Sequence, residues 1–292
     1  MTIERTGPAF VPARIACARS GRSIAAALLA AALVAGCQTM TAPPVDMTNV
    51  DPTTASPANI ESLTAVIRQN PNDANAYNVR GAAYGRAGMY KEAMADFEAA
   101  LRLDPSFGQA YANRALVLRR QGKLRDALAD YNRAIQADPG YAPAYVARGN
   151  IYRQEGRADL ALADYNTAIS INPTDAQAFY NRGLANQALN QHQTAVEDFT
   201  TAIGISPGAA EPYNSRGVSY LALGDPKSAL DDITESLRRD NRSFQAWANQ
   251  GLAYEQLGDR QKAFTAFSRA LTVNANYQIA VDGARRTSST RA

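Results

Sequence analysis

Two cysteines and a single histidine in 292 residues leave this chain little from which to assemble a metal centre or an activated nucleophile. No Cys or His pair stands at metal-ligand spacing, and no Gly-rich phosphate loop or Ser-centred elbow occurs. His192 stands alone near a turn and reads as a solvated side chain rather than a general base. Catalysis, a cofactor and a metal are therefore not expected. Long apolar runs are missing too: the run Ile24–Ala35 falls short of the roughly 20 residues a membrane-crossing helix needs.

What the chain has instead is recurrence. Six consecutive frames of 34 residues follow one another without insertion: 74–107, 108–141, 142–175, 176–209, 210–243 and 244–277. Place four is aromatic in every frame: Tyr77, Tyr111, Tyr145, Phe179, Tyr213 and Trp247. Place eight is small: Gly81, Ala115, Gly149, Gly183, Gly217 and Gly251. Place eleven is large except at Asn186, so places four, eight and eleven share one helical face. A second helix carries Ala93, Phe97, Ala100 and their counterparts. Place fifteen is Gly, or Asn190 in the fourth frame, as a left-handed helix end requires. Pro105, Pro139, Pro173 and Pro207 stop the second helix. The unit is helix, tight turn, helix, stop, and a fixed period of this length predicts a stack of such units.

These residues resemble the signature of the tetratricopeptide repeat, over roughly residues 60–285. The resemblance implies an all-α fold, a right-handed superhelical solenoid of six helix-turn-helix repeats. Asn241 and Ala275 depart from it in place of proline, and Ile233 and Ser236 weaken the fifth frame. Residues 58–73, with a helix over Ile60–Gln69, look like a half-repeat N-terminal cap, and residues 278–292 offer only a short C-terminal cap and tail.

Residues 1–36 stand apart from the repeats. Arg14, Arg19 and Arg22 precede the apolar run, which ends in Leu33-Val34-Ala35-Gly36-Cys37. That ending resembles a bacterial lipobox, implying cleavage before Cys37 and acylation of its sulfur. Gln38 in place of Asp resembles the signal for sorting to the outer membrane of Gram-negative bacteria, with the repeats facing the periplasm. Residues 37–57 are rich in Thr and Pro and read as a flexible tether, spanning on the order of 25 Å. Removing the leader's four arginines and one glutamate leaves 26 basic and 26 acidic residues. A neutral chain gives no support for a nucleic-acid partner. With Cys17 removed and Cys37 acylated, no disulfide is expected, so the fold must rest on packing.

Place seven is Arg80, Arg114, Arg148, Arg182 and Arg216, then Gln250; place twenty-three is Asp96, Asp130, Asp164, Asp198 and Asp232, then Ala266. The two charges vanish together in the sixth frame, which favours a structural ion pair within each repeat. The family resemblance puts the first helix of each repeat on the concave face. Candidate peptide-binding residues there are Asn78, Asn113, Asn150, Asn181, Asn214 and Asn249, with Arg86, Arg119, Arg120 and Arg153. Ser215 stands at the same place as three of these asparagines. Amides suit an extended backbone because they both donate and accept, and arginines suit carboxylates. The carboxylate clamp that some family members use for chaperone tails is not matched. Lysines are missing from its positions, and Glu211 stands where a cation belongs.

The resulting expectation is a non-catalytic scaffold for protein partners, anchored to the outer membrane by lipid. It resembles envelope adaptors of the NlpI type; the alternative is an assembly lipoprotein of the PilF or TadD type, serving a pilus or secretion system. The C-terminal cap, with Gly283 and only Ile279 and Val281 as apolar cover, is expected to leave Phe264, Phe267 and Leu271 partly open, and so to invite a homodimer.

Overall fold

The computed structural model describes residues 56–288. All of them belong to the second of two units, Met1–Pro43 and Pro44–Ala292, into which the chain divides. The leader, Cys37, nearly all of the tether and residues 289–292 lie outside the described residues. Among the described residues there are helices and no strands. An opening helix α1 (Pro57–Gln69) precedes six pairs: α2 and α3 (Ala74–Arg86, Tyr90–Leu103), α4 and α5 (Gly108–Arg120, Leu124–Ala137), α6 and α7 (Ala142–Gln154, Ala158–Ile171). The remaining pairs are α8 and α9 (Ala176–Ala188, His192–Ile205), α10 and α11 (Glu211–Ala222, Pro226–Arg239), and α12 and α13 (Phe244–Gln256, Arg260–Val273), closed by α14 (Gln278–Thr287). None is long and apolar enough to cross a membrane. The described chain is an all-helical solenoid of consecutive antiparallel pairs.

Two backbone devices set the pairing. The first helix of each pair ends on a left-handed residue, Gly88 to Gly258 with φ of 72–80°, and Asn190 with φ of 58°. Between repeats, place thirty-one caps the turn from its side chain. Asp104, Asp138, Asn172, Asp240 and Asn274 each accept from the backbone N–H two residues on, at 2.9–3.2 Å. Such Asx turns form without proline, which explains why Asn241 and Ala275 do not interrupt the array.

Packing within a pair depends on the small residue at place eight. A Cβ on Gly183 would stand 2.6 Å from the Phe199 ring, and one on Gly217 would stand 2.7 Å from Ile233. Ring and backbone therefore touch directly. Phe97, Tyr131, Tyr165, Phe199, Ile233 and Phe267 are all buried in this way, each worth about 1.5–3 kcal/mol relative to an exposed position. Successive first helices pack on one another across most repeat boundaries, whereas each second helix packs on the first helices to either side. The first helices thus form one layer of the stack and the second helices the other.

Both ends differ from expectation. Helix α1 begins at Pro57, inside the expected tether, because Ser56 Oγ caps the Asn59 N–H at 3.3 Å and proline fits a first turn. At the other end α14 packs on α13 and α12 as a seventh first helix. Gly283 lies against the Phe267 ring, Phe267 is fully buried and Leu271 is half-buried. Arg286 adds two bonds to Glu255 at 2.8 Å, and Arg260 donates to the Arg286 carbonyl at 2.7 Å. Phe264 and Ile279 stay 42% and 43% exposed. The expected open end is therefore mostly covered, and the premise for self-association there shrinks to those two side chains.

Candidate ligand-binding layer

Two sets of arginines divide the first helices. At place seven the side chain points to the second helix of its own repeat. Arg80–Asp96, Arg114–Asp130, Arg148–Asp164, Arg182–Asp198 and Arg216–Asp232 approach to 2.6–2.7 Å, with each aspartate side chain at most 10% exposed. Both oxygens of each carboxylate accept, the fork geometry in which a guanidinium binds most firmly. Hydrogen bonding to the aspartate holds the proton affinity of Arg80, Arg114, Arg148 and Arg216 above the ordinary guanidinium value, against the cost of burial. The place-four aromatic lies within 5.3–5.9 Å of each guanidinium. These pairs leave no donor fork free for a ligand.

Sequence reasoning missed the other half of this arrangement. The remaining nitrogen of the arginine reaches back to the preceding repeat, sixteen residues upstream. Arg80 donates to Thr64, Arg148 to Asn132, Arg182 to Asn166 and Arg216 to Thr200, at 2.6–3.2 Å. Gln250 keeps a longer bond of 3.4 Å to Thr234. Each of these four arginines therefore joins three helices. The signal lay in place twenty-five, polar in every frame: Glu98, Asn132, Asn166, Thr200, Thr234 and Ser268. A second missed group sits in the fourth repeat. Asn186 is buried and donates to Asp198 at 2.8 Å, and Gln187 donates to the Ser215 carbonyl and to Ser219 Oγ at 2.7 and 2.8 Å.

Three of the asparagines proposed for peptide binding require correction, because they are buried; Asn150, Asn214 and Asn249 are half-buried. Asn78, Asn113 and Asn181 are buried, at 0%, 3% and 4% exposure. Asn113 Nδ2 donates to Asn78 Oδ1 at 3.0 Å, and Asn249 Nδ2 to Asn214 Oδ1 at the same distance. Asn150 Oδ1 accepts from the Tyr165 hydroxyl at 2.8 Å. The two Asn–Asn pairs form between successive first helices, because residues 35 apart meet where one first helix crosses the next. Asn78 and Asn181 each retain a buried Nδ2 without a partner. His192 is corrected too: it opens α9, is half-buried, and has a buried, unpaired Nδ1.

The arginines at places twelve and thirteen behave differently. Among the described residues, Arg86, Arg119, Arg120 and Arg153 make no ion pair, unlike all five at place seven. Arg120 Nη1 donates to the Gly85 carbonyl at 3.2 Å. Arg86 has Nε and Nη1 buried without a partner, and Arg153 likewise its Nε. Burial, and then the neighbouring Arg120, lower the proton affinity of Arg86. Arg119 and Asn150 border a cavity of about 670 Å³, which also reaches Tyr141 and Gln177. A smaller one of about 380 Å³, with Tyr180, Glu211, Asn214 and Arg242, follows along the stack. No cluster of three metal-ligating side chains occurs among the described residues. The layer presents donors and shallow cavities for binding.

Models of the tetratricopeptide repeat match residues 74–107, 108–141, 176–208 and 214–278, and one of the TPR repeat matches 149–190. No curated protein matches the chain. Among solved structures, the APC/C hetero-tetramer Cut9–Hcn1 superposes with a TM-score of 0.68 at 20% identity, over 84% of this chain. This chain spans only 50% of that one. PilF of Pseudomonas aeruginosa superposes with a TM-score of 0.66 at 17% identity, over 73% of this chain and 97% of its own. YrrB, described as a TPR protein with an unusual peptide-binding site, gives 0.55 at 23%, over 65% of this chain and 97% of its own. At these identities the likeness is one of fold. The 34-residue frames, the paired helices and the matched segments together place this chain in the tetratricopeptide repeat family.

Proposed function

We propose that this protein is a non-catalytic adaptor whose first-helix layer receives segments of partner proteins at the periplasmic face of a Gram-negative outer membrane, in support of envelope biogenesis or integrity. The observation that carries the binding role is the row of arginines at places twelve and thirteen, which make no ion pair among the described residues and of which Arg119 borders an open cavity. Their donors can be satisfied by a ligand without disturbing the Arg–Asp pairs that hold the repeats. The peptide-binding site described for YrrB agrees with a peptide as the class of ligand. Anchoring rests on Leu33–Cys37 and Gln38, and the NlpI-type role on likeness of architecture. Crosslinking in intact cells, followed by recovery of the chain from membranes, tests the adaptor reading. Specific partners are expected, and a chain recovered alone would overturn it. In the same cells Cys37→Ser is expected to abolish labelling by fatty acid and to leave the chain released or unprocessed. Label on that variant would overturn the anchor.

The fold likeness to PilF, over 97% of that chain, favours a second reading as an assembly lipoprotein of a pilus or secretion system. Recovery of pilus components rather than wall hydrolases or proteases would select it.

A further inference from the structure

Arg86 ends α2 and Arg120 ends α4, at the same place one repeat apart. Two guanidiniums are thus held close together on the first-helix layer. Neither has a carboxylate partner among the described residues. Arg120 spends one nitrogen on the Gly85 carbonyl, the residue beside Arg86. Arg86 keeps Nε and Nη1 buried and unbonded. A guanidinium stays charged at any physiological pH, so the mutual repulsion is not relieved by losing a proton. Leaving buried charged donors unpaired is costly, and native structures seldom do so without a reason.

The contrast within this chain sharpens the point. All five arginines at place seven meet an aspartate on the same fold. A counter-charge was available to this architecture, and places twelve and thirteen lack one. Arg119 and Arg153 extend the row over the second and third repeats, and Arg153 also keeps a buried Nε unbonded. From the fourth repeat onward the same places hold Gln187, Ala188, Leu221, Ala222, Glu255 and Gln256, so the cationic stretch ends abruptly.

We propose that Arg86 and Arg120 form an oxyanion site, occupied by a side-chain carboxylate of an acidic, extended partner segment, with Arg119 and Arg153 receiving further carboxylates along it. The carboxylate accepts from the exposed Arg120 and screens it from the neighbouring Arg86 charge. The partner's acidic stretch lies over repeats one to three. This rests on the adaptor reading above and supplies the charge of the segment and its position on the stack.

The test uses the full chain and an end-capped, fluorescent hexaglutamate peptide, read by anisotropy. Hexaglutamate is expected to bind, to weaken as salt rises, and to outcompete inorganic phosphate; hexaglutamine is expected not to bind. Arg86→Met and, separately, Arg120→Met should each weaken binding at least tenfold, since each removes a positive charge that faces the carboxylate. Arg102→Met, exposed on α3, should leave it unchanged. Without peptide, Arg86→Met should melt at or above the wild-type temperature in low salt, because repulsion is relieved. Equal binding by the wild-type, Arg86→Met and Arg120→Met chains would overturn the site. A lowered melting temperature of Arg86→Met without peptide would show a packing role instead. Phosphate binding tighter than hexaglutamate at Arg86 would replace the peptide by a phosphorylated ligand. Partners crosslinked equally to wild-type and Arg86→Met chains would leave the adaptor reading standing and this site refuted. Hexaglutamate binding with no crosslinked partner would do the reverse.

Discussion

Arg148 grips both carboxylate oxygens of Asp164, at 2.9 and 2.6 Å, and its third nitrogen reaches Asn132 of the preceding repeat at 2.6 Å. One side chain therefore joins the two helices of its repeat and the repeat behind. The sixth repeat carries Gln250 and Ala266 at these places and still packs, so the interaction is replaceable when both members change together.

Arg148→Ala leaves the nearly buried Asp164 carboxylate uncompensated and should cost about 3 kcal/mol. Arg148→Gln combined with Asp164→Ala, the pair that the sixth repeat already holds, should cost much less than Arg148→Ala alone. Arg119→Ala, at an arginine with no ion pair, should cost under about 0.5 kcal/mol. Urea melts measure all three, and strict additivity at the Arg148–Asp164 pair would contradict the coupling.

Gly183→Ala puts a methyl where the Phe199 ring already sits, at 2.6 Å. Overpacking of this kind should cost about 1–3 kcal/mol. Adding Phe199→Leu should recover part of the loss, because a smaller side chain clears the contact. Gly156→Ala meets no neighbouring atom and should lose only about 1 kcal/mol, from its φ of 72°. A Gly183→Ala variant as stable as wild type would mean that the two helices separate without cost.

Hydrogen bonding from Arg286 holds the Glu255 carboxyl below the ordinary carboxylate range. A depressed carboxyl contributes stability above its unfolded value, about pH 4.3, and loses it as pH falls through the lower folded value. Helix α14 should therefore loosen below about pH 4, before the central repeats do. Hydrogen exchange of Ala280–Ala284 against pH measures this, and Glu255→Gln should expose the same amides at neutral pH. The effect should shrink in salt, since the pair is largely exposed.

Burial pushes the Tyr165 hydroxyl up to about 12 while it donates to Asn150. A raised value means stability that is complete below the unfolded value of about 10 and is lost as pH rises toward 12. Tyr165 should ionise only as the third repeat opens, later than the half-buried tyrosines in an absorbance titration. Tyr165→Phe should remove that last phase and flatten the alkaline decline of stability. A titration of Tyr165 in step with the half-buried tyrosines would contradict the burial argument.

Much of the architecture could be read along the chain because each repeat touches little beyond its neighbours. Place eight is small because place twenty-four lies on it, place fifteen is Gly or Asn because the turn is left-handed, and both relations recur within 34 residues. The separation of sixteen between Arg and Asp is visible in the sequence; that the arginine also binds sixteen residues upstream appears only when the helices are stacked. The asparagines show where local periodicity stops informing. Asn78 and Asn113 stand at different places in successive frames, and a helical face drawn for either alone makes it a groove residue. Their meeting at 3.0 Å depends on how one first helix crosses the next, which neither helix's own pattern encodes. The charges of Arg86 and Arg120 are likewise plain in the sequence. Their lack of a counter-charge is a property of the packed stack, where each donor's partner is settled by three-dimensional neighbours.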